Sequence, residues 1–73
     1  MSDYVAIYKK SVRDKTVAEL RLQSALMAYS AAVTAQEETV VIDRHRAEIH
    51  ALTDIVLDNL SMIVYCTNKM QGL

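Results

Sequence analysis

Proline is absent from this 73-residue chain, and its single glycine is Gly72. Proline removes an amide donor and kinks helices, and glycine supplies the positive φ of tight turns. A chain with neither in its interior is not built of short strands and tight turns. Cys66 is the only cysteine, which excludes an internal disulfide and a multi-cysteine zinc site within one chain. Phenylalanine and tryptophan are missing too, leaving Tyr4, Tyr8, Tyr29 and Tyr65 as the only aromatics. No long hydrophobic run occurs. The most apolar stretch, Leu60–Cys66, contains a serine and is flanked by Asp54, Asp58 and Lys69. It falls short of the roughly 20 residues a membrane span needs. A basic segment followed by an apolar one, as in a secretory leader, is also lacking. The expectation is a cytoplasmic protein with no membrane contact. Neither sign of charge dominates, with a net charge of −1.

What is abundant is apolar side chain. At 52% of residues, it exceeds what one thin hairpin can hide, and small domains are marginal alone. Two periodic stripes organise it. Val5, Tyr8, Val12, Lys15, Glu19, Leu22, Leu26, Tyr29 and Val33 follow alternating steps of three and four, and seven of the nine are apolar. Ile42, His45, Ile49, Leu52, Val56, Asn59, Ile63, Cys66 and Met70 do the same, again with seven apolar. Such spacing places side chains on one helical face. The two frames are out of phase, and the slip falls at Thr34–Val41, near the middle of the chain. Ala18, Ala25, Ala28, Ala32 and Ala35 form a second, small-residue stripe on the first helix, suited to close approach of a neighbouring backbone.

The fold expected is all-α: one helical domain over residues 1–73, with a helix over about 3–34, a turn at about 35–40 and a helix over about 41–70. Thr34 with Glu37 matches a capping box, and Thr39 could instead cap the second helix. Thr16 with Glu19 is a further match, which would split off a short helix over Asp3–Val12. Charge is uneven. Residues 1–36 carry five basic against three acidic side chains, and residues 37–73 carry three against six. Folded back on itself, the chain would set Arg21 near Asp54 and Lys15 near Asp58. Nine of the twelve residues from Ile55 to Cys66 are apolar. A helix apolar nearly all round must be covered nearly all round, so two hairpins joined into a four-helix-bundle-like homodimer are expected.

Candidate sites are sparse. His50, Asp54 and Asp58 share a helical face, but the Glu-x-x-His pairs of a di-iron bundle are missing. They read as a solvated face, and no metal or cofactor is expected. His45 lies on the seam between Arg44 and Arg46 and reads as a half-buried histidine. Asn59 lies among aliphatics, where a polar group can fix register and oligomer state. Lys9, Lys10, Arg13, Lys15 and Arg21 make a basic segment over 9–21 without interleaved aromatics beyond its edge, so nucleic-acid binding is a secondary expectation. No nucleophile–base set or glycine-rich phosphate loop is visible.

The residues therefore point away from an enzyme and toward a protein-interaction module. A small bacterial or phage regulator, inhibitor or adaptor that docks a helical face on a larger protein would have this composition. A structural subunit of a larger assembly is the alternative. Tyr4, Tyr8, Ile55, Asn59, Met62, Ile63 and Cys66 are the residues expected at partner or oligomer interfaces.

Overall fold

The computed structural model describes residues 3–72. They form two long helices, α1 (Tyr4–Thr34) and α2 (Thr39–Met70), folded back as a hairpin measuring 53 × 16 × 14 Å. The expected hairpin and its turn are observed. Residues 1, 2 and 73 of the expected domain lie outside the described residues.

The Asp3 carboxylate starts α1 by accepting the Ala6 N–H at 3.0 Å. That satisfies one of the donors a helix start leaves free. The helix then runs unbroken to Thr34, so the separate N-terminal helix is not formed. Thr16 does not cap. Its hydroxyl donates to the Val12 carbonyl at 2.9 Å, inside α1. Neither of the other threonines caps α2 either. Thr34 closes α1, Thr39 opens α2, and the N-cap is Glu38, with no side-chain cap bond.

The turn is held by backbone. Gln36 N–H donates to Val33 O at 3.1 Å and Glu37 N–H to Ala32 O at 3.0 Å. This pair of bonds is a Schellman closure, in which the residue past the cap takes the left-handed conformation. Here that residue is Gln36, with φ 55°, where glycine would be unstrained.

The inner faces differ from the sequence reading on one helix only. On α2 the expected frame holds. Leu52 and Cys66 are buried, and Ile42, His45, Ile49, Val56, Asn59 and Ile63 are half-buried, while Met70 is exposed. On α1 half the expected frame is displaced by one residue. Tyr8, Lys15, Leu22 and Tyr29 are half-buried as expected, but Val5, Val12, Glu19, Leu26 and Val33 are exposed. The buried positions are Ser11, Ala18, Ala25 and Ala32, each seven residues after the last. Small side chains let the backbones come together, and Ala18 and Ala25 are each only 4% exposed. Burying the valine–leucine line instead would hold the helices apart. Ala28 is half-buried and Ala35 exposed, at the edge and end of this contact.

The expected charge matching between helices is not realised. The ion pairs among the described residues join Lys10 to Asp14 (3.2 Å), Lys15 to Glu19 (2.8 Å) and Arg46 to Asp43 (3.4 Å), each within one helix. Such pairs contribute roughly 0–1 kcal/mol each. The hairpin is held by packing.

Hydropathy also reads differently over a longer window. α2 contains an 18-residue stretch with mean hydropathy 1.3, long and apolar enough to cross a membrane. Any stretch of α2 that long with so few charges includes both Asp54 and Asp58.

Two substitutions test this packing by chemical or thermal unfolding at fixed protein concentration. Ala25→Leu overfills the seam and is expected to cost about 1–3 kcal/mol; undiminished stability would mean the backbones are not close there. Gln36→Gly relieves the left-handed strain and is expected to stabilise by about 0.5–1 kcal/mol.

Candidate interaction surface

Because the buried line of α1 is made of small side chains, many large ones lie outside the seam. Ala18, Ala25, Ala32, Leu52 and Cys66 make up the buried apolar core among the described residues, while sixteen large hydrophobic side chains are exposed. This ratio is the reverse of a self-sufficient domain. Contiguous exposed apolar surface marks contact with something else.

Helical spacing sorts the exposed residues onto two sides of the seam. Asp14 and Arg21 of α1 share one side with Ile55 of α2, where together with Val17, Ala18 and Leu52 they line an open dent of about 140 Å³. The dent exists because Ala18 leaves room beside Leu52. Ile7 lies one heptad before Asp14 and Met62 one heptad after Ile55, so both extend this side. At its far end the Tyr4 ring meets Tyr65 edge-on, with centroids 6.1 Å apart. The Lys69 ammonium lies 5.5 Å from the Tyr65 ring centroid.

The opposite side carries Val5, Val12, Leu26 and Val33 from α1. It also carries Arg46, whose guanidinium stands 5.9 Å from the Tyr29 ring centroid and donates to the Tyr29 hydroxyl at 3.5 Å. The hydrogen bond to Tyr29, and secondarily the Asp43 carboxylate, raises the Arg46 pKa above its ordinary value. Leu60 follows Arg46 by two heptads on this side.

The interface residues expected from sequence are thus divided by the fold. Ile55 and Met62 are exposed, at 45% and 43%. Tyr4 and Tyr8 are half-buried, with Tyr4 against Tyr65 of the same chain. Asn59 and Ile63 are half-buried in the seam, and the Asn59 amide donates to the Ile55 carbonyl at 2.9 Å within α2. Cys66 is fully enclosed within the hairpin, at 0% exposure. The line Val5, Val12, Leu26 and Val33 is visible in the sequence as part of the first apolar stripe, but its spacing does not say whether it faces α2 or solvent. The alanine stripe beside it was the signal that could have moved it outward.

His45 is half-buried, and His50, Asp54 and Asp58 are exposed. Among the described residues no group of three or more His, Cys, Asp or Glu side chains is placed to hold a metal ion. The basic segment spreads around α1. Lys10 and Lys15 are taken up by Asp14 and Glu19, which leaves no continuous cationic stripe. Compared with protein-family models, curated proteins and solved structures, the chain finds no match.

Burial makes the Cys66 thiol inert, since reactivity requires access as well as ionisation. A chromogenic disulfide reagent is expected to leave it unmodified in the native protein and to titrate one thiol per chain in denaturant. Rapid native labelling would show that the seam opens around Cys66.

Proposed function

We propose that this chain is a non-enzymatic protein-interaction module, a small regulator, inhibitor or adaptor that works by laying a helical face on a larger protein and that also self-associates, as a dimer in the first instance. The observation that carries this reading is the inverted distribution of apolar side chains, with a core of small residues and a surface of large ones. Docking requires a rigid preformed patch, and two helices closed by a backbone-bonded turn supply one. Rigid patches lose little entropy on binding.

The side bearing Ile7, Ile55, Met62 and Tyr65 suits a protein partner best. Its apolar centre is bordered by Asp14, Arg21 and Lys69, an arrangement of apolar core and polar rim typical of interfaces. Occlusion or bridging would follow from the length of the hairpin, 53 Å, which spans a large part of a partner's surface. Water rather than lipid is the proposed surrounding of α2. Asp54 and Asp58 would each cost about 2.5–3.5 kcal/mol at the centre of a bilayer. A cytoplasmic location accords with that.

The test compares capture of protein partners from the native host by the parent chain and by Ile55→Glu and Met62→Glu variants. Each variant is expected to keep its helicity by circular dichroism and to lose a stoichiometric partner, with affinity down by more than about tenfold. A partner retained in full by both variants would remove this side from the mechanism, and no stoichiometric partner for the parent chain would remove the docking role.

A further inference from the structure

The second apolar side has a symmetry that the first lacks. α1 runs from Tyr4 to Thr34, so Glu19 is its central residue. The exposed line on this helix places Val12 and Leu26 seven residues to either side of Glu19, and Val5 and Val33 fourteen residues to either side. A line of side chains that reads alike in both directions from its midpoint is self-complementary under a two-fold axis. We infer that the Val5–Val12–Leu26–Val33 face of α1 pairs with the same face of a second copy of this chain, antiparallel, with the two-fold axis at Glu19. The inference rests on the interaction reading above and assigns its self-association to a particular face.

In that pairing Val5 meets Val33 of the second copy and Val12 meets its Leu26, so the line is aliphatic on aliphatic away from the axis. The centre of the line is charged. There Glu19 approaches its own copy, and each is already bonded to Lys15 at 2.8 Å. The Lys15 side chain is 26% exposed and stands one turn from Glu19, within reach of both carboxylates. Two cations and two anions then close a neutral cluster, which fixes register without leaving a lone charge.

The area agrees. The hairpin exposes 5510 Å², whereas a compact monomer of this mass exposes about 4,500 Å². A dimer as compact as a globular protein of twice the mass would bury on the order of 1,700 Å² per chain over all its contacts, so the hairpin has enough surface for this face to supply the roughly 800 Å² a side of a standard interface. A flat partner of equal length covers the whole 53 Å face, which a second hairpin does by construction.

The experiment combines sedimentation mass with cross-linking of full-length variants. The parent chain is expected to sediment as a dimer, and Leu26→Glu to weaken dimerisation by more than about tenfold. Glu19→Cys is expected to form a disulfide-linked dimer under mild oxidation, because the introduced thiols meet at the axis, whereas Ser24→Cys, on the other side of α1, remains monomeric on a non-reducing gel. The cross-link keeps the inference falsifiable even where Leu26→Glu loses helicity. A parent chain of single-copy mass, or a dimer in which the thiol introduced at position 19 stays free, overturns the pairing. A dimer lost in Ile55→Glu or Met62→Glu but kept in Leu26→Glu also overturns it, and leaves self-association itself intact on the opposite side.

Discussion

Close approach of two backbones along a line of small side chains is the constraint from which the rest of this structure follows. Ser11, Ala18, Ala25 and Ala32 recur every seven residues and face α2. Once those positions are inward, helical geometry leaves the adjacent line of valines and leucine no place in the seam. The thin core and the wide apolar surface are one fact seen from two directions, and the proposed docking role rests on it. Burying small residues contributes little transfer free energy per residue, at about 25 cal/mol per Å² of apolar area. A hairpin closed in this way gains geometry more than stability from its own seam, and most of its available hydrophobic free energy is left for contacts with other molecules.

The polar interactions confirm how little else holds the arms together. Each ion pair among the described residues lies within one helix. Among the described residues the side-chain hydrogen bond that crosses between α1 and α2 runs from Arg46 to the Tyr29 hydroxyl, at 3.5 Å. The hydroxyls of Thr16, Thr53 and Thr67 turn back onto their own helices, as short polar side chains do in helix interiors. The tyrosines act at the two ends, Tyr4 with Tyr65 at the open end and Tyr29 with Arg46 toward the turn.

Much of this was legible in the sequence. The absence of breakers and the phase slip between frames locate two helices and the turn, and the α2 seam from Ile42 to Cys66 is read correctly. There most of the inward positions are themselves bulky and aliphatic, so hydrophobicity and geometry agree along that line. On α1 they conflict. Ranking by hydrophobicity favours Val5, Val12, Leu26 and Val33, whereas close packing favours Ser11, Ala18, Ala25 and Ala32. Tyr8, Lys15, Leu22 and Tyr29 belong to both readings, which is why half the frame survives. The capping assignments fail because Thr16 bonds back along its own helix and because Thr34 and Thr39 fall on the last residue of α1 and the first of α2, inside the helices and not at their caps. Net charges of the two halves likewise carry no information about which carboxylate each lysine reaches, and the nearest one, four residues along the same helix, wins.

A seam whose small residues repeat every seven positions offers nearly equivalent alignments to arms displaced by one repeat, about 10.5 Å at 1.5 Å per residue. Among the described residues no ion pair crosses the seam to resist that displacement, and the Arg46–Tyr29 contact lies near the turn. What arrests it is the short link from Ala35 to Glu38, pinned by the Gln36 and Glu37 amides. The link is therefore a ruler as well as a bend. A longer, slacker one would allow the arms to slide into several alignments or to exchange between neighbouring copies, and the chain would lose its single shape before losing its helices.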